Sequence, residues 1–267
     1  MSLKASFPIP TLDGIVLDTN HVYHIGDEKA PLSVTSLIDL AKGEHKFDAD
    51  QVARKNLASW RSNASSRFFP LTVGRSDEEA VEAIKATWLQ NADQGTRMHA
   101  LLESVANDEA VGEDQLAEFG TELQQFEALR FRHPELEFVR TELSVFARDR
   151  GGRVAVAGQI DALVRNRSTG KLIVIDYKRI SRTVNASAQS YGKFFLGSNV
   201  PLNDFHVYSL QVSLYRELLR LSSGLECDEA YLLQLHAGLP EGRLIRAADM
   251  SKEATELLKS LNVDCTR

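Results

Sequence analysis

The sequence predicts a mixed α/β fold: helices first, then a three-stranded antiparallel meander, then a helix and one more strand. Three observations predict it. Apolar residues recur at helical spacing through residues 77–132, as strand-like runs through 136–178, and again at helical spacing through 204–222. Gly151-Gly152 and Ser168-Thr169-Gly170 cut the middle stretch into three. A mainly helical N-terminal extension, residues 1–75, precedes this core of residues 76–267.

The elements follow in order. Pro8, Pro10, Gly14, Gly26 and Pro31 make the first residues turn-rich, with a short hairpin around His21–Ile25. Ser33 is placed to cap a helix running to Lys42, and Phe47–Trp60 reads as another. A loop over Arg67–Val73 precedes Ser76 and Glu79, a capping box that opens a long helix from Asp77 toward Asn107. Gly95 marks an expected break in it. Glu113–Arg132 is a further helix, stopped before Pro134. Leu136–Ala147, Arg153–Arg165 and Lys171–Lys178 are the strands of the meander. A helix over Asp204–Ser222, a strand over Glu229–Gln234 and a helix over Ser251–Leu261 finish the chain.

Composition narrows the function. The 267 residues carry a formal net charge of −6, with 43% hydrophobic and 25% charged residues, which excludes disordered and collagen-like chains. Two cysteines, Cys227 and Cys265, cannot build a disulfide framework, a four-cysteine zinc site or an iron–sulfur cluster. No apolar run reaches the ~20 residues of a membrane span, so no membrane partner is expected. Residues 1–10 resemble no targeting segment, and an intracellular location is expected. Residues 148–193 hold ten basic and three acidic residues, a local excess of seven positive charges on an acidic chain. Such a stretch suits a localised polyanion site, or a set of solvated hairpin turns.

Strand register points to chemistry. With a two-residue turn at Gly151-Gly152, residues whose numbers sum to 303 face each other, so Glu142 meets Asp161. With the next turn at Ser168-Thr169 the sum is 337, and Asp161 meets Asp176. Lys178, two residues on, shares the Asp176 face. The flanks Val154-Ala-Val-Ala157 and Leu172-Ile-Val-Ile175 are apolar on both faces, so these strands are central. Carboxylates crowded there repel one another and lose hydration. A hard divalent cation removes that repulsion; the alternative is that each acid meets an arginine such as Arg140 or Arg165. His99 with Glu103, and Gln211 with Tyr215, are i,i+4 helical pairs.

Gly95-x-x-x-His99-x-x-x-Glu103, Gly158-Gln-Ile-Asp161, Asp176-Tyr-Lys178 and Gln211-x-x-x-Tyr215, in that order, resemble the RecB-like branch of the PD-(D/E)XK nucleases. The stand-alone members, of mitochondria and large DNA viruses, are the most similar. The resemblance covers roughly residues 76–236, and Gly158-Gln-Ile stands where the superfamily name has a proline. It implies a restriction-endonuclease-like core and a nuclease that needs Mg²⁺, with Mn²⁺ as substitute. Asp161 and Asp176 would be the principal metal ligands, helped by His99 and the Tyr177 carbonyl. Glu142 would support a second metal ion or the coordination of the first, and Glu103 would orient His99 or bind water. Lys178 would stabilise charge on the phosphate, and Gln211 and Tyr215 would contact the strand. Arg179, Arg182 and Lys193, in the acid-free stretch 177–203, are expected to meet phosphates, with Tyr191, Phe194 and Phe195 available to stack on bases. The expected partner is DNA, single-stranded, cut as by an exonuclease. No Walker A motif is present, so no nucleotide cofactor is expected. Two other readings are a non-catalytic nucleic-acid-binding module and a metal-dependent phosphodiesterase for another substrate.

Overall fold

Short elements open the chain, as its prolines and glycines require. In the computed structural model, which describes residues 3–43, 47–190, 192 and 199–266, a one-turn helix α1 (Leu3–Ser6) leads into a small antiparallel sheet. Its strands are β1 (Val16–Leu17), β2 (Tyr23–Ile25) and β3 (Glu28–Lys29), the expected hairpin with one strand more. Ser33 caps α2 (Val34–Lys42), its hydroxyl accepting from the Ser36 N–H at 3.0 Å.

Asp48 caps α3 (Ala49–Ser62) through the Gln51 N–H at 2.9 Å. A single turn, α4 (Phe69–Thr72), occupies part of the stretch expected as loop. Ser76 and Glu79 exchange the hydrogen bonds of a capping box at 2.8 and 3.3 Å, and α5 (Asp77–Ala106) follows. Gly95 does not break α5. One interior glycine costs only about 1 kcal/mol, too little to end so long a helix. α6 (Glu113–Arg132) bends at Phe119, where the backbone leaves helical geometry.

The change of periodicity at residue 136 becomes a five-stranded sheet. Its strands are β4 (Leu136–Arg148), β5 (Val154–Asn166), β6 (Leu172–Arg179), β7 (Cys227–Leu235) and β8 (Arg243–Arg246), hydrogen-bonded in that order. β6 and β7 run parallel and the other pairs antiparallel. α7 (Asp204–Ser223), capped by Asn203, makes the crossover between the parallel strands, and α8 (Ser251–Ser260) closes the fold. β8 is the strand that sequence patterning did not separate from loop.

The register sums hold, although the first turn differs from the expected one. Thr141 pairs with Ala162 and Leu143 with Ile160, so 303 applies across the middle of β4 and β5. The turn itself has three residues, Arg150 to Gly152, closed by the Asp149 N–H to the Arg153 carbonyl at 2.8 Å, with Gly152 at φ 83°. A bulge between Ala147 and Arg148 restores the count, since one extra residue in the loop is matched by one in the strand. On the other side Ala162 pairs with Ile175 and Arg165 with Leu172, a sum of 337.

The chain divides into two compact units, Met1–Glu44 with His99–Arg267, and His45–Met98. The first 44 residues therefore fold with the sheet rather than with residues 45–75. In the larger unit, α2, α7 and α8 bury Leu37, Leu210, Leu214, Leu218 and Leu257 in one core with Val145, Val156, Ile160 and Leu232 of the sheet. The side chains of Phe126 on α6 and Tyr177 on β6 meet edge-to-face at 6.1 Å. The smaller unit centres on Trp60, Phe68 and Trp88, whose rings lie 4.4–6.2 Å apart beside Ala80, Val81 and Ile84.

Candidate metal centre

The β5–β6 ladder reaches Ala162–Ile175 and goes no further toward Asp161 and Asp176. Beyond it, the Tyr177 N–H donates to Asp161 Oδ2 at 2.6 Å. This bond fixes Asp161 within the opened sheet. His99 Nδ1, from α5, lies 3.4 Å from the other Asp161 oxygen. The His99 ring rests edge-on against the Tyr177 ring, centroids 5.5 Å apart.

Glu142 joins them from β4. Its φ of 45° lies in the left-handed region, rare for a side chain other than glycine and costing about 1–3 kcal/mol. That excursion interrupts the alternation of β4 between the regular pairs at 141 and 143. Ligand atoms of His99, Glu142 and Asp161 all lie within 4.8 Å of one another.

Asp176 leans instead toward Lys178, whose Nζ is 2.6 Å from Asp176 Oδ2. Lys178 also donates to Gln211 Oε1 at 3.1 Å, and Gln211 Nε2 donates to the Tyr215 hydroxyl at 2.9 Å. The ammonium sits 4.6 Å from the centre of the Tyr208 ring. Tyr208, Gln211 and Tyr215 share one face of α7, so helical spacing from Gln211 could have pointed to Tyr208. Gly158 lets α7 approach: a Cβ there would come within 2.7 Å of the Tyr215 ring and 2.8 Å of Val34.

The charges explain one another. Burial pushes the Glu142 carboxyl up to about 8, with repulsion from Asp161 and Glu103 adding to it. Burial also lifts Asp176 to about 6, against the pull of Lys178 and with the push of Asp161. Burial alone would raise Asp161, yet His99 and Lys178 hold it below the usual carboxylate range. Desolvation alone would lower His99 and Lys178, but the neighbouring carboxylates keep both above their ordinary values. Glu103 is raised by burial and by Glu109, and lines with Glu142, Asn107 and Arg140 a cavity of about 220 Å³.

No arginine meets the three acids among the described residues. Arg140 is 2.8 Å from Asp13, and Arg165 is 2.7 Å from Glu137. Glu142 Oε1 is buried without a hydrogen bond, and Asp176 Oδ2 meets the Lys178 ammonium. A buried, unsatisfied carboxylate oxygen beside an imidazole and a second carboxylate suits a hard divalent cation that accepts a nitrogen ligand.

The expected phosphate-binding cations are distributed differently. Arg179 is buried against Glu122 of α6 at 3.1 Å, where Glu122 also accepts the Ala237 N–H. Its guanidinium is thereby committed inside the fold, because successive residues of a strand point to opposite faces. Arg182 is exposed and paired with Asp204 at the start of α7. Lys193, with Tyr191, Phe194 and Phe195, lies outside the described residues. The basic stretch is largely neutralised: Arg148 meets Glu28, Arg153 meets Asp149, Arg167 meets Glu137, and Lys171 meets Asp228. No helix among the described residues is long and apolar enough to cross a membrane.

The family described as the PD-(D/E)XK nuclease superfamily matches this chain over residues 65–262. No curated protein matches it. A solved structure titled "Crystal structure of SSO0001" is similar at 13% identity and a TM-score of 0.32, over 85% of this chain and 82% of that one.

Proposed function

The chain belongs to the PD-(D/E)XK nuclease superfamily, and on that premise we propose that it is a divalent-metal-dependent deoxyribonuclease, an exonuclease that prefers single-stranded DNA. The observation that carries the metal and the chemistry is the cluster of His99, Glu142 and Asp161, whose acids meet no arginine among the described residues and in which Glu142 Oε1 is buried without a hydrogen bond. The preference for single strands and for chain ends rests on the order of motifs alone.

Asp161, Asp176, Glu142 and His99, with the Tyr177 carbonyl, would hold Mg²⁺, and the imidazole lets Mn²⁺ replace it. When bound, the ion makes a water nucleophilic near neutral pH and neutralises the departing oxygen. The chain's own groups do the rest. The Tyr177 N–H holds Asp161 in place at 2.6 Å. Lys178, kept protonated by Asp176, stabilises negative charge on the phosphate and does not act as a base. Gln211 aims the ammonium and Tyr215 aims Gln211, through bonds of 3.1 and 2.9 Å. Glu103 orients water in the cavity it shares with Glu142. Arg182 and Lys193 contact the strand, Arg182 exchanging Asp204 for a phosphate, since an exposed pair is worth only about 0–1 kcal/mol.

The test is digestion of end-labelled and circular single-stranded DNA with Mg²⁺. Linear strands should shorten from one end and circles should survive. EDTA and Asp161→Asn should each stop the reaction. Cleavage that persists in either condition removes the metal assignment, and cut circles remove the exonuclease.

A further inference from the structure

Residues 1–64 lie outside the family match, yet the N-terminal chain is fastened along the sheet beside the acids. Arg140 of β4 grips it twice, through Asp13 at 2.8 Å and the Phe7 carbonyl at 3.1 Å. Glu28 accepts the Val154 N–H of β5 at 3.0 Å and pairs with Arg148. The Leu32 carbonyl accepts the Ala157 N–H at 3.0 Å, and Ser33 bridges Ala157 in parallel. These bonds cover the part of β5 that leads into Asp161, beyond the stretch where β6 pairs with it.

The same segment brings β2 against β5. Its turn is rigid: Asp18 Oδ1 accepts the Asn20 and Val22 N–H groups at 2.8 and 2.9 Å, and Asp18 Oδ2 lies 3.0 Å from His24 Nε2. Tyr23 is thereby half-buried, with its phenol in the field of Glu142, Asp161 and Tyr215. No described residue makes a hydrogen bond with its hydroxyl. With β2 packed on β5, the strand that carries Asp161, a phenol that no described residue engages keeps its O–H for a ligand held at the acids.

We propose that Tyr23, delivered by the N-terminal segment of residues 18–33, is a substrate-contacting residue of this centre, its O–H donating to a non-bridging oxygen of the bound phosphodiester. This rests on the nuclease reading given above. Burial, with the charges of Glu142 and Asp161 adding to it, pushes the phenol up to about 12, so it stays a donor throughout the neutral range.

Three proteins test it: the full chain, Tyr23→Phe and Tyr23→Ala. Each is measured for thermal unfolding, for Mg²⁺-dependent cleavage, for Mg²⁺ affinity, and for binding of a fluorescein-labelled single-stranded oligodeoxynucleotide in EDTA. Tyr23→Phe should melt with the wild type, bind Mg²⁺ equally, and lose about ten- to hundredfold in kcat/KM with a parallel weakening of oligonucleotide binding. Normal cleavage and binding by Tyr23→Phe sink this inference and leave the nuclease intact. Impairment of Tyr23→Ala alone, with a lowered Tm, makes the ring a packing element and overturns it. A lowered Mg²⁺ affinity with unchanged oligonucleotide binding makes Tyr23 a partner of Glu142 instead, which also overturns it. A wild-type chain that neither binds nor cleaves the oligonucleotide removes both readings.

Discussion

Lys178 and Arg179 are neighbours on β6, and both make buried ion pairs, but on opposite faces and to opposite ends. Arg179 faces α6, where Glu122 sits with Phe119, Gln125 and the chain after β7. Lys178 faces α7, where Asp176 shares its surroundings with Asp161, Glu142 and His99. One carboxylate per cation is a structural clamp. A surplus of carboxylates over cations is an unfinished site, stable only when something else supplies positive charge.

The contrast breaks first under Lys178→Ala and Arg179→Ala. Lys178→Ala should cost at least about a hundredfold in cleavage, because the charge on the phosphate loses its stabiliser. Its stability should fall little, since Asp176 can take up a proton. Arg179→Ala leaves Glu122 buried and unpaired, and should cost about 3–5 kcal/mol of stability while keeping cleavage at low temperature. Urea unfolding and cleavage rates on both variants decide it; matching losses in both measurements would erase the distinction.

A smaller effect should appear with pH. Glu142 and Asp176 titrate at about 8 and about 6 in the folded protein, above ordinary values of 4.5 and 3.8. The folded state therefore binds protons that the unfolded state releases. The stabilising effect is complete below the ordinary values and is lost as pH rises through about 6 and then about 8. In EDTA, Tm should fall between about pH 5 and about pH 8. Glu142→Gln should flatten the upper part of that decline and Mg²⁺ should offset it. A flat profile for the metal-free wild type would show that the acids are not crowded.

The smallest expected effect concerns the seat of Tyr215. Gly158→Ala forces a methyl into the Tyr215 ring and Val34, at about 1–3 kcal/mol. Displacing Tyr215 should also loosen Gln211 and slow cleavage more than a surface Gly→Ala change at Gly120, which meets nothing within 4 Å.

Register was legible because strand side chains alternate with a period of two. A miscounted turn at Gly151-Gly152 did no harm, since the bulge at Ala147–Arg148 returned Glu142 to Asp161. Caps at Ser33 and Ser76 were legible too, being local hydrogen bonds between residues three apart. The expected break at Gly95 was not realised, and β8 was hidden in a segment of four residues.

Local periodicity and spacing by themselves determined the order of helices and strands, and the gathering of Glu142, Asp161, Asp176 and Lys178 on adjacent strands. Both follow from repeats of a few residues, which the chain carries wherever it goes. Only the tertiary structure decided that Arg179 turns inward to Glu122, that Arg140 and Arg165 find other acids, and that β2, with Tyr23, packs against β5. Those partners come from residues 13, 23, 122 and 137, and pairing across such separations depends on which surfaces the packed core brings together.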